Sequence, residues 1–321
     1  MALRVAVIGT GNMGIHHLRN YYHNPDVELV GFVETNEKNA EKVKTKYPIE
    51  HFADYKKVLG KVNAVSIATP TCTHFEIASF FLSHQIHVLL EKPITDSIEE
   101  AEDLIEIAKQ QNTLLSIGHI ERFNPVIQEL KNILKKESPV FVEIHRESPF
   151  DPRIYDVDVV SDLMIHDIDA LYYILKRKLN IVSSTGIKVH SNKSDLVNVQ
   201  LISDDNVLIN ITTSRATEQK IRSWRIILKD KLIEADLLER KLYLSSRTEV
   251  GKKIFDTNAD HHYTQEQITA KILVKNDEPL QIEIDNFIQS ILGNTVLEVE
   301  GKDGLKALKL VKEIQQKIIT I

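Results

Sequence analysis

Apolar residues follow two different rhythms along this chain. Up to about residue 120, short runs are apolar almost throughout: 3–8 (LRVAVI), 27–33 (VELVGFV), 62–68 (NAVSIAT), 87–91 (HVLLE) and 113–118 (TLLSIG). They alternate with stretches of helical character at 15–22, 36–46, 74–83 and 97–110. A strand that is apolar on both faces is covered on both, so this half predicts a parallel sheet between two layers of helices. Crossovers of this length are right-handed, which makes the sheet doubly wound, an α/β Rossmann arrangement.

After Gly118 the rhythm changes. GHIERFNP (118–125) leads into a helix from Pro125 to Lys136, and residues 139–146 (PVFVEIHR) alternate. A Pro-rich loop and one helix follow. Residues 181–244 then read as successive strands with short polar turns such as Ser203-Asp204-Asp205-Asn206. Strands in immediate succession predict an α+β domain built on a large, mainly antiparallel open sheet. The boundary is expected near residue 121, giving domains 1–121 and 122–321, with amphipathic helices at 281–292 and 303–319 packed on the second. In that sheet Val197, Val199, Leu201, Val207, Ile209 and Ile211 fall on one face, and Asn198, Gln200, Asn210 and Thr212 on the other. A face in water usually carries Lys and Glu. Neutral polar side chains suit a face that meets protein, and predict a homodimer or homotetramer through this sheet.

Composition narrows the class. The 321 residues suggest about two domains, and 42% apolar with 27% charged residues is ordinary for a globular protein. No run approaches the ~20 apolar residues that span a membrane, and MALRVAVIGTG reads as a first strand, not a secretion signal. The single cysteine, Cys72, excludes an intramolecular disulfide and fits a reducing cytoplasm. Net charge is 40 − 46 = −6, and Lys131–Lys136 reads as a solvated helix face, so neither nucleic acid nor membrane is an expected partner.

Chemistry enters at the strand ends. Gly9-Thr10-Gly11-Asn12-Met13-Gly14 follows the first strand and opens a helix, the context in which GxGxxG cradles a dinucleotide pyrophosphate. Glu34, 20 residues after Gly14, ends the second strand. A carboxylate there accepts both adenosine ribose hydroxyls and repels a 2′-phosphate, which favours NAD. The 62–68 run ends in Ala68-Thr69-Pro70-Thr71, with His74 opening the next helix, and the 87–91 run in Glu91-Lys92-Pro93. An ammonium at that place can reach nicotinamide ribose and a substrate hydroxyl; the alternative is a surface lysine paired with Glu91. In the second half, Ser161 or Asp162 can cap a helix in which Asp162 and His166 share one face. A carboxylate beside an imidazole suits general-base work, an N-cap beside a structural histidine being the alternative. Asp167 and Asp169 point off that face, so no metal is expected. Arg122, Arg146 and Arg153 stand in or near loops that should border the site, each also with an acidic neighbour, and Tyr155 could stack on a base or sugar.

GTGNMG, Glu34, ATPTCTH and EKP, in this order and spacing, resemble the glucose–fructose oxidoreductase / inositol dehydrogenase (Gfo/Idh/MocA) family over essentially the whole chain. The resemblance implies a dehydrogenase taking hydride from a secondary hydroxyl of a sugar, with NAD held by Gly9, Thr10, Gly11, Asn12, Met13, Glu34, Thr69, Pro70, Thr71, His74, Glu91, Lys92 and Pro93. It implies an active site containing the EKP lysine and a D-x-x-x-H motif, matched by Lys92, Asp162 and His166. Arg122, Arg153, Tyr155, Asp162 and His166 are then the substrate-binding candidates. His166 serves as base with Lys92 steadying the alkoxide, or Lys92 serves as base with His166 orienting. GHIERFNP and residues 145–169 are similar to the branch containing UDP-N-acetylglucosamine 3-dehydrogenases, which oxidise the 3-hydroxyl to a 3-keto group. The alternatives are an inositol or simple-sugar dehydrogenase, and a non-catalytic NAD-binding regulator expected to lack at least one member of the trio.

Overall fold

A computed structural model describes residues 2–152, 157–247 and 267–320. The chain divides into two compact units, Met1–Phe123 with Asp277–Lys309, and Asn124–Asn276 with Leu310–Ile321.

The first unit holds a six-stranded parallel sheet in the order β3-β2-β1-β4-β5-β6. Its strands are β1 (Leu3–Ile8), β2 (Val27–Val33), β3 (Glu50–Phe52), β4 (Ala64–Ile67), β5 (His87–Leu90) and β6 (Leu115–Ile117). The helices between them are α1 (Gly14–Tyr22), α2 (Glu37–Lys46), α3 (His74–Ser83) and α4 (Ile98–Gln110). Alternate residues of β1 serve opposite cores, which explains why its run is apolar throughout. Ala6 and Ile8 pack with Val65, Ile67 and Leu90 of the sheet and Ala78, Phe81 and Leu104 of α3 and α4. Leu3, Val5 and Val7 pack instead with Leu18 and Tyr21 of α1 and Val43 of α2.

Helix α7 (Pro279–Ile291) corrects the expected placement of the tail. Its Leu280, Ile284, Phe287 and Ile288 complete the core on the α1 side of the parallel sheet, and Val299 and Leu308 join the core on the other side. Amphipathic periodicity shows that a helix has a buried face but not which sheet receives it. Helix α8 (Gly301–Lys317) contributes its residues up to Lys309 to this unit and the rest to the second.

The second unit carries α5 (Pro125–Leu134), α6 (Ile165–Leu175) and, among the described residues, a nine-stranded sheet. In chain order its strands are β7 (Pro139–Glu147), β8 (Leu179–Ile187), β9 (Leu196–Ser203), β10 (Leu208–Ser214), β11 (Ile221–Leu228), β12 (Lys231–Asp236), β13 (Lys241–Arg247), β14 (Gln267–Ile272) and β15 (Ile319–Thr320). They lie in the order β14-β13-β12-β11-β7-β10-β9-β8-β15. Pairing is antiparallel except for β7 with β10 and β8 with β15. One face is buried and mainly apolar, with Val142, Ile144, Val197, Val199, Leu201, Ile209, Ile211 and Ile226. On the other, register aligns Ile202, Leu208, Phe141, Ile227 and Leu232 in one apolar row across five strands. Beside it Asn198 donates to Thr212 at 2.9 Å and Gln200 to Asn210 at 3.3 Å. No helix among the described residues is long and apolar enough to cross a membrane.

Candidate active site

The glycine turn after β1 is shaped by close approach. Gly9 has φ of +86°, and a Cβ there would lie 2.7 Å from the Ala68 carbonyl oxygen. A Cβ on Gly14 would lie 1.9 Å from the Gly9 carbonyl oxygen, so only glycine lets α1 start against the turn. Gly11 differs: a Cβ there would meet nothing within 4 Å, and Gly11, Asn12 and Met13 are exposed. No side chain caps α1 at Met13, the place a pyrophosphate takes in the dinucleotide fingerprint. Glu34 ties the end of β2 to this turn. Its carboxylate accepts from Thr10 N at 3.1 Å, Thr10 Oγ1 at 2.8 Å and Asn36 N at 2.8 Å. An open cradle at Gly11 and a carboxylate at the β2 terminus fit an adenine dinucleotide.

The loops after β4 and β5 meet at His74. Its Nδ1 lies 2.9 Å from the Pro93 carbonyl oxygen and its Nε2 3.0 Å from that of Thr69, and the residue is buried. His74 is therefore a buried strut between the Thr69-Pro70-Thr71 and Glu91-Lys92-Pro93 segments. Glu91 is also buried, with one oxygen 2.9 Å from His17 Nε2 and the other accepting the Lys92 N–H at 3.1 Å. It too lies beneath the turn that presents Lys92.

Burial pushes the His74 imidazole below its ordinary value, and that of His87 likewise. His87 Nδ1 accepts from Leu114 N at 2.9 Å, a bond that protonation would break. As pH falls below about 6.5, the unfolded chain takes up these protons before the folded one, so their stabilisation is full above that value and is lost on acidification. The melting temperature should hold from pH 7.5 to about 6.5 and fall below it, with His74 contributing at most about 1.4 kcal/mol per pH unit. Calorimetry of His74→Asn should show a shallower dependence; an unchanged slope would exclude His74 as its source.

In the second unit the Asp162–His166 segment is not a plain α-helix. Val160–Met164 forms a π turn that runs into α6, a feature frequent at functional sites. Asp158 caps it, accepting from Val160 N at 2.9 Å and Ser161 N at 3.0 Å, which replaces the expected cap by Ser161 or Asp162. Asp162 and His166 stay half-exposed while Met164, Ile165 and Ile168 are buried. Asp167 is buried against Arg146, whose Nη2 donates to Oδ1 at 3.0 Å, and against Trp224, whose Nε1 donates to the same oxygen at 3.2 Å. Arg146 is thus a core ion-pair partner on β7, not an arginine bordering a site. Among the described residues no group of three or more His, Cys, Asp or Glu is placed to hold a metal.

A family described as oxidoreductase, NAD-binding Rossmann fold, matches residues 3–119. The UDP-N-acetylglucosamine 3-dehydrogenase of Acidithiobacillus ferrooxidans is 30% identical over 317 residues, covering 98% of this chain and 96% of that protein. The chain belongs to the Gfo/Idh/MocA family. An inositol 2-dehydrogenase of Rhizobium meliloti, also similar, is 22% identical over 97% of this chain and 95% of its own length. The solved structure of the A. ferrooxidans enzyme superposes with a TM-score of 0.88 at 28% identity, covering 99% of this chain and 98% of that one. As a Gfo/Idh/MocA protein this is an oxidoreductase acting on CH–OH groups, with NAD as its cofactor.

Arg122 departs from its expected role. It is buried, with Nη1 donating to the Glu298 carbonyl oxygen at 3.0 Å and Nη2 3.2 Å from Asp303 Oδ1, so its fork clasps the segment before and within α8. Binding a diphosphate would require breaking that clasp. Arg153 and Tyr155 lie outside the described residues. Sequence reasoning passed over His17 and Asp158, because an isolated polar residue near a helix start carries no mark of its partner.

Proposed function

We propose that this dehydrogenase oxidises the 3-hydroxyl of UDP-N-acetylglucosamine to the 3-keto sugar. The similarity to the A. ferrooxidans enzyme across 98% of the chain carries this reading. Bound NAD would supply the acceptor for the hydride leaving C3. Lys92 donates a hydrogen bond to the reacting oxygen and steadies its developing negative charge. His166 accepts the hydroxyl proton as general base, and Asp162 orients the imidazole or the sugar. The products are the ketone, NADH and the proton left on the base. In the alternative assignment Lys92 takes that proton and His166 orients.

NADH formation measured with UDP-N-acetylglucosamine, myo-inositol and glucose, with and without 2-oxoglutarate, tests the reading. Turnover should be fastest with the nucleotide sugar; preference for myo-inositol would overturn the substrate. Tight NADH binding with no turnover on any of them would support the regulator instead. The exposed thiol of Cys72 suits a reducing, cytoplasmic setting.

The same reading includes self-association through the open face of the nine-stranded sheet, as a homodimer or homotetramer. Its support is the apolar row across five strands, in which Leu208 and Ile227 are each 36% exposed. Sedimentation at micromolar concentration should give an oligomer that Ile227→Asp dissociates. A monomeric wild type would rule the interface out.

A further inference from the structure

A buried hydrogen-bonded chain in the first unit has no part in the scheme above. His17, on α1, is completely buried. Its Nδ1 lies 2.8 Å from Ser66 Oγ on β4, and Tyr21 OH donates to the same oxygen at 3.4 Å. Its Nε2 lies 2.9 Å from Glu91 Oε1, and Glu91 Oε2 accepts the Lys92 backbone N–H at 3.1 Å. Gly118 closes the far side, where a Cβ would come within 3.1 Å of Glu91 Oε2.

Burial alone would raise the Glu91 carboxyl, but the hydrogen bond and charge of His17 and the charge of Lys92 outweigh it and hold the group below the usual carboxylate range. Glu91 is therefore an anion inside the core. A carboxylate buried on a hydrogen-bonding partner is a poor way to gain stability, since an apolar pair of the same volume often does as well. What the pair supplies is direction. The Lys92 amide is fixed by Glu91, Glu91 is fixed by His17, and His17 sits on α1 one turn beyond Gly14, where the helix meets the glycine turn.

We infer that His17, acting through Glu91, is a positioning residue for Lys92 that couples the dinucleotide-binding helix to the turn presenting the amine. The inference rests on the proposed role of Lys92. Misplacing a reacting group by about 1 Å costs on the order of a hundredfold in rate, so loss of this brace should act on turnover more than on binding.

The test compares His17→Leu, which removes both bonds, with His17→Gln, whose amide N–H can still donate to Glu91. His17→Leu should lower kcat by roughly 10–100-fold with the KM for NAD within about threefold, and His17→Gln should recover most of the loss. Amide exchange at Lys92, measured without substrate, should quicken about tenfold in His17→Leu and not in His17→Gln. Ser66→Ala, a milder change, should show the same pattern at smaller amplitude if His17→Leu fails to fold. Equal kcat and equal Lys92 exchange in all variants overturns the inference. So does a loss in which kcat, KM and melting temperature change together without rescue by glutamine. A wild type that oxidises no sugar overturns only the functional reading; Lys92 exchange still decides the coupling.

Discussion

Lys92→Met and His166→Asn should each lower kcat for sugar oxidation by about 10²–10⁴-fold while the protein keeps its fold and still binds NADH. Lys92 stands at the carboxyl end of β5 on a turn braced by two buried groups, Glu91 and His74. His166 is half-exposed at the junction of the π turn and α6, with buried residues on both sides of it in sequence. Both side chains are half-buried and outside the apolar core clusters, so under the proposed roles their removal should cost turnover before stability. The double variant should fall little below the worse single one, because groups acting on one proton transfer do not contribute independently. The pH profile separates the two assignments: the variant lacking the base loses the acidic limb of kcat, and the other keeps it. Turnover of both variants within a few-fold of wild type would remove the assignment.

The parallel half was legible because strands buried on both faces leave unbroken apolar runs, and because glycines that cannot bear a Cβ stand at fixed offsets. β3 escaped: its three residues, Glu50, His51 and Phe52, are too few and too polar to make such a run. The antiparallel half was legible from its turns and alternation, down to the two faces of β9 and β10. What the sequence could not carry was the identity of distant partners. Arg122 reads equally well as a ligand-binding fork or as half of an ion pair, and Arg146 more readily as the latter. The choice is made by Asp303 and Glu298, more than 170 residues away, and by Asp167 on α6. The tail helices failed for the same reason. The resemblance is what singled out the catalytic candidates; spacing alone left Asp162 open between a helix cap and a partner of His166, and in the structure Asp158 is the cap.

The glycine turn allows two substitutions of equal size to separate folding from cofactor binding. Gly14→Ala would set a methyl 1.9 Å from the Gly9 carbonyl oxygen. Gly9 is held in place, since its N–H donates to the Val33 carbonyl at 2.8 Å. Overpacking of this kind costs roughly 1–3 kcal/mol or more, which for a unit of this size lowers the melting temperature by several degrees. NADH binding should be lost with it. Gly11→Ala points into open space, with no atom within 4 Å, so the cofactor-free protein should melt within about 1–2 °C of wild type. In the dinucleotide fingerprint that space is where the pyrophosphate approaches the backbone, so the methyl should weaken NADH binding at least tenfold. Saturating NADH, at about 100 times its Kd, stabilises the wild type by roughly 2.7 kcal/mol, and Gly11→Ala should show no more than about half of that shift at the same concentration. If Gly11→Ala binds NADH as wild type does, the dinucleotide does not lie across this turn, and the role given to Lys92 loses its geometric basis.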